Sequence, residues 1–143
     1  MNAEIINFYS ENKFQLGDKE RHLQWLKKAI YSEGKKLGEI SFIFCDDDFL
    51  SEINQKYLNH DTFTDIISFD NSIGDILHGD IFISIDRVGE NAKEFEVPFA
   101  EELRRVLIHG ILHLSRYKDN TEEEKQEMRK KEEEKMKMFH VEQ

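Results

Sequence analysis

The spacing of apolar residues changes period several times along the chain, and each change predicts an element. Ile5, Ile6 and Phe8 predict a first strand near residues 3–8. Asp18 stands at an expected helix N-cap, and Leu23, Leu26, Ala29 and Ile30 follow at helical spacing up to Gly34. Trp25 belongs to that helix, as does His22, which reads as a surface residue. Ile40, Phe42 and Phe44 alternate with Ser41, Ile43 and Cys45, the pattern of a strand. Asp46, Asp47 and Asp48 then open a helix carrying Phe49, Ile53 and Tyr57. Aspartates at a helix start complement its dipole, a simpler reading than a metal site.

Asn59-His60-Asp61-Thr62 reads as a loop, and Thr64–Phe69 as a β-branched strand. Gly79–Ser84 forms another strand, whereas the earlier Gly74-Asp75-Ile76 is not followed by a strand-like run. Asp86 caps a helix with Val88, Ala92 and Phe95, and Pro98 breaks it and opens the next. Thr121 with Glu124 forms a capping box for a last helix over residues 121–139, whose apolar residues Met128, Met136, Met138 and Phe139 are sparse. The sum is one α+β domain over residues 1–143, a small mixed sheet of about four strands with about five helices.

The single cysteine, Cys45, excludes an internal disulfide and fits a reducing compartment. The first ten residues lack an apolar signal core, and no apolar run approaches the roughly 18 residues of a membrane span. The expectation is a cytoplasmic protein with no membrane partner. A formal net charge of −10 opposes nucleic-acid binding at long range. The acid is uneven, however, and basic pairs occur at Lys27-Lys28, Lys35-Lys36 and Arg104-Arg105.

The chemistry concentrates in His109-Gly110-Ile111-Leu112-His113, followed by Asp119. At about 100° per residue, Leu103, Val106, Leu107, Gly110, Ile111 and Leu114 form one apolar stripe, with His109 and His113 along its border. Two imidazoles one turn apart can bind one metal ion, and Asp119, just past the helix end, can be the third ligand. Glu102, on the same border, is a candidate partner for an imidazole N–H. Three ligands leave a position for water, the layout of a catalytic zinc-type site with one ion per chain, although nickel and iron suit the same donors.

This stretch resembles the signature of the YbeY family, bacterial endoribonucleases of ribosomal RNA maturation, roughly H-G-x-L-H-L-x-G-x-D-H. His109, Gly110, Leu112, His113 and Leu114 match in place; the family's third histidine is Asp119 here, and its glycine is Arg116. Thr64, Asp65, Ser68 and Phe69 match a T-D-V-L-S-F strand, and Gly79–Ser84 matches G-D-I-x-I-S. The family's N-x-x-Y-R falls on Asn54-Gln55-Lys56-Tyr57-Leu58, so its arginine is Leu58.

The resemblance implies a zincin-like metal-site helix and a metal-dependent endoribonuclease acting on the 3′ end of small-subunit ribosomal RNA. Its partners would be ribosomal RNA, the small ribosomal subunit and ribosome-associated proteins; the oligomeric state stays open. Arg116 or Lys118 is a candidate to replace the missing arginine, Asp65 a candidate catalytic residue, and Ser68 and Asp80 candidate substrate contacts. His60 and His78, in polar loops, read as surface residues. Two alternatives remain. A peptidase-like metallohydrolase would want a general base where Gly110 stands, and a non-catalytic ribosome assembly factor would keep the metal as a structural element.

Overall fold

The computed structural model describes residues 4–58 and 64–139. The chain runs β1 (Ile5–Ser10), α1 (Lys19–Ser32), β2 (Lys36–Cys45), α2 (Asp47–Leu58), β3 (Ile66–Asp70), β4 (Ile76–Ser84), α3 (Ile85–Phe95), α4 (Phe99–Leu114) and α5 (Glu122–Met138). The expected α+β architecture is present, with four strands in the order β1-β2-β4-β3. β1, β2 and β4 are parallel, and β3 pairs antiparallel with β4 at the edge.

The two-residue period of the strands divides the core. Ile6, Ile40, Phe42, Phe44, Leu77, Ile81 and Ile83 pack against α1 and α4. On the other face Cys45 and Ile67, with Phe69 and Phe82, meet Leu50 and Ile53 of α2. The α4 stripe is buried as its spacing predicts: Leu103, Val106, Leu107, Ile111 and Leu114 all belong to the core. Gly110 lets the helix approach the sheet. A Cβ there would stand 3.0 Å from Ile81 Cγ2 and 3.1 Å from Ile66 Cδ1, so a larger side chain requires these methyl groups to give way.

Several local expectations are corrected. β1 begins and ends about two residues later than expected, and β2 starts at Lys36. Gly74-Asp75-Ile76 does lead into a strand: Gly74 takes φ 60 in the hairpin turn and β4 begins at Ile76. The cap of α3 is Ser84, whose hydroxyl accepts from Arg87 N at 3.1 Å, while Asp86 sits inside the first turn. Asp18 occupies the N-cap of α1, but its side chain caps nothing. His22 is buried, not on the surface: its Nδ1 meets the Asp18 carbonyl at 2.9 Å and its ring lies 5.1 Å from that of Phe139. The Thr121–Glu124 capping box is complete in both directions. Among the described residues, no helix is long and apolar enough to cross a membrane. His60 lies outside the described residues, as does most of its loop.

Candidate metal centre

α4 carries His109 and His113 one turn apart, with ring centroids 4.4 Å apart. The helix ends in a turn that returns Asp119 to them. Arg116 N donates to the His113 carbonyl (2.9 Å) and Tyr117 N to the Leu112 carbonyl (3.0 Å), the paired bonds of a Schellman motif. Arg116 therefore stands at the left-handed position, with φ 79, where a glycine is preferred. The turn has the backbone shape that favours glycine, and arginine bears the strain. Arg116→Gly is expected to raise the unfolding free energy by about 1 kcal/mol in urea titrations; an unchanged midpoint would mean an unstrained turn.

His109 Nε2 lies 3.4 Å and His113 Nε2 3.7 Å from Asp119 Oδ2. One ligand atom from each of the three residues falls within 4.8 Å of the others. The other ring nitrogens face acceptors only: His109 Nδ1 meets Glu132 Oε2 at 2.6 Å, and His113 Nδ1 meets the Tyr117 carbonyl at 3.1 Å. A carboxylate and a carbonyl cannot donate, so each Nδ1 carries the proton. In the neutral rings both Nε2 lone pairs then face Asp119. This donor set fits a divalent ion of zinc type.

Glu132 on α5 is the partner that the sequence reading did not find. Glu102 does not fill that role; it is buried beside Arg105, with Arg105 Nε 3.8 Å from its Oε1. Arg105 Nη1 also donates to Glu132 Oε1 at 3.2 Å, so Glu132 joins a guanidinium to an imidazole. One signal was available. Met128, Glu132, Lys135 and Phe139 recur at helical spacing and are all buried, so the inner face of α5 includes two charged residues.

Lys135 anchors that face. Its Nζ pairs with Glu33 Oε2 at 2.5 Å and donates to Ser32 Oγ at 2.8 Å. Tyr117 Oη donates to Glu33 Oε1 at 2.6 Å, and Trp25 Nε1 to the Lys135 carbonyl at 2.7 Å. Burial alone would raise the Glu33 carboxyl, but Lys135, Tyr117 and Lys131 hold it below the usual carboxylate range. This network ties α5 and the Tyr117 turn to the end of α1, and thereby fixes both imidazole partners.

Beside the triad opens a cleft of about 630 Å³, lined by Asn54, Thr64, Ser68, Asp70, His113 and Asp119 among others. Ser68 Oγ is buried there without a hydrogen-bond partner among the described residues. Asp65 opens the edge strand and receives Asn91 Nδ2 at 3.3 Å. Burial raises its carboxyl above the usual range; His109 opposes the rise, and Glu132 and Asp119 add to it. Burial lowers the His113 imidazole, and the neighbouring His109 lowers it further. The His109 imidazole would also fall on burial, but Glu132, Asp119 and Asp65 bring it above its ordinary value.

The structure does not bring Asp80 into this cleft. Asp80 lies on the opposite sheet face, in a groove with His78, Asn71 and Ser41, where His78 Nδ1 accepts from Glu39 N at 3.1 Å. Arg116 reaches the Gly74 carbonyl at 3.5 Å, and Lys118 is exposed; neither lines the cleft.

A family model described as Endoribonuclease YbeY matches residues 6–140. The Endoribonuclease YbeY of Christiangramia forsetii is 60% identical over 138 residues, 96% of this chain and 96% of the relative. That of Flavobacterium psychrophilum is 55% identical over 139 residues, 97% of this chain and 99% of the relative. The solution structure of TM1509 from Thermotoga maritima superposes with a TM-score of 0.69 at 29% identity, covering 94% of this chain and 89% of that one.

Proposed function

The chain belongs to the YbeY family and is an endoribonuclease that hydrolyses RNA phosphodiester bonds, and from that premise we propose that cleavage occurs at a zinc-type centre held by His109, His113 and Asp119. The observation that carries this reading is the convergence of the three ligand atoms, with both Nδ1 protons already engaged. The biological substrate we assign is ribosomal RNA, in small-subunit maturation. The metal-dependent nuclease class rests on the family.

A bound divalent ion of this type lowers the pKa of a coordinated water to about 7 and polarises a phosphate oxygen. The chain's own residues do the rest. Glu132 and the Tyr117 carbonyl keep both imidazoles turned toward the centre. Asp65, between Thr64 and Ile66 of the cleft lining, is the carboxylate we assign to accept the proton of the attacking water. The cleft lining includes no lysine or arginine among the described residues, so Lys118, on the turn that carries Asp119, is the cation we assign to the rim.

The Asp65 assignment couples activity to stability. A carboxyl whose folded value lies above its unfolded one stabilises the fold at acid pH, below the unfolded value. It loses that contribution as pH rises through the folded value. At neutral pH, above the unfolded value, Asp65 therefore destabilises the metal-free protein. Asp65→Asn is expected to raise the metal-free melting temperature at pH 7 by about 2–4 °C and to lose that advantage at pH 3. The same change should lower kcat by about 10²-fold. Melts at the two pH values and single-turnover cleavage check both; full activity would remove Asp65 from proton transfer.

The direct test is cleavage of single-stranded ribosomal RNA fragments by protein stripped with a chelator and then reloaded with zinc. Activity should disappear on stripping and return on reloading. Undiminished cutting by the stripped protein would exclude a metal-dependent reaction.

A further inference from the structure

A second place on the molecule has the makings of an anion site. Arg21 of α1 and Arg104 of α4 both stack on the Phe139 ring, with guanidinium carbons 4.3 Å and 4.4 Å from its centroid. Arg21 also donates to the Phe139 carbonyl at 3.0 Å. Neither arginine has a carboxylate within 4.0 Å among the described residues, unlike Arg87 and Arg105, which are paired with Asp47 and Glu132. Arg104 Nε is buried with no hydrogen-bond partner among the described residues. Burial lowers the Arg104 guanidinium; Glu101 counters this, and Arg21 adds to it. In a chain of net charge −10, two guanidiniums without an ion-pair partner among the described residues converge on one ring, in a pocket whose one lining carboxylate is Asp18.

That pocket holds about 410 Å³ and is bounded by the starts of two helices, at Gly17-Asp18 and Phe99-Ala100. Neither helix has a side-chain cap. The first backbone bonds run from His22 N to the Asp18 carbonyl and from Glu101 N to the Pro98 carbonyl. The amides of Lys19, Glu20 and Arg21, and of Phe99 and Ala100, have no acceptor among the described residues. Free amides at two helix starts beside two arginines favour a phosphate group. Phe14, Phe99, Leu103 and Phe139 give the pocket an apolar wall suited to a base, a pairing of cation and ring common at single-stranded nucleic-acid sites.

We propose that this pocket is a phosphate subsite for the RNA strand: Arg21 and Arg104, fixed against Phe139, hold a backbone phosphate, and the apolar wall takes the adjoining base. This deepens the endoribonuclease reading and rests on it for the RNA. Phe139 follows Glu132 by two turns of α5, about 10 Å along the axis, so the pocket lies about that far along α5 from the partner of His109.

The test has two arms on the zinc-loaded full chain. Trp25, the sole tryptophan, has its ring 5.3 Å from that of Phe139 and reports on the pocket without any catalysis. Inorganic phosphate at constant ionic strength should give a saturable change in Trp25 emission, lost in Arg21→Gln/Arg104→Gln and largely retained in Arg21→Lys/Arg104→Lys. With a single-stranded ribosomal RNA fragment, the Gln pair should raise KM about tenfold, with the loss in KM rather than kcat, and should flatten the salt dependence of binding. Melting curves exclude unfolding, and the Lys pair remains interpretable if the Gln pair does not fold. A linear, unsaturable phosphate response overturns the site, however well RNA is cut. Saturable phosphate with unchanged RNA affinity in the variants overturns the RNA assignment and leaves a site for free phosphate. Saturable phosphate in a wild type that cuts no RNA means that the endoribonuclease reading has failed while the anion pocket stands.

Discussion

His113→Ala is expected to reduce bound metal from about one ion per chain to a small residue, and RNA cleavage by about 10³-fold or more, without unfolding the protein. His113 is partly exposed at the cleft, so truncating it removes a ligand without opening the core. Asp119→Ala should behave in the same way, because its Oδ2 stands within 3.4 Å and 3.7 Å of the two imidazoles. Asp119→His, which restores the histidine of the family pattern, should keep the metal. Elemental analysis beside circular dichroism separates the cases. Full metal in folded Asp119→Ala would place the third ligand elsewhere, and metal lost only together with the fold would favour a structural ion.

The second large effect belongs to Glu132. Glu132→Ala leaves the His109 Nδ1–H without its acceptor and Arg105 without its closest carboxylate. Removing the acceptor of a ligating histidine typically costs 10–100-fold in metal affinity, and the expected loss here is about 30-fold. Removing one partner of a buried ion pair destabilises strongly, by about 3–5 kcal/mol. Glu132→Gln keeps an acceptor oxygen but not the charge, and should fall between wild type and alanine on both scales. Competition titration with a chelating dye measures the affinity and urea unfolding the stability. A Glu132→Ala protein that binds metal within twofold of wild type would show that His109 is oriented by other means.

The two largest effects differ in how far the sequence could foresee them. The histidine pair was legible because its geometry is local: four residues of helix place two imidazoles on one border of an apolar stripe, whatever the rest of the fold does. Asp119 was legible for a similar reason, since a helix C-terminus and a short turn confine it near His113. The existence of β3 and β4, though not their starts at Ile66 and Ile76, and the α5 capping box also follow from short-range pattern. His22 was misread because its helix shows a polar neighbourhood, and the ring that buries it arrives from Phe139 at the far end of the chain.

Sequence by itself determined the helix that carries the two histidines, the three candidate ligands it groups and the alternation that builds a mixed sheet, because each depends on periodicity over a few residues. Only the tertiary structure decided that α5 lies along α4, with Glu132 on His109 and Phe139 under two arginines. It also decided that Asp65 is buried and bonded by Asn91 while Asp80 turns to the opposite face. These depend on how mostly polar surfaces dock at long range. The Lys135–Glu33 pair, the Trp25 bond to the α5 backbone and the tight seat of Gly110 fix that docking through contacts between residues far apart in the chain.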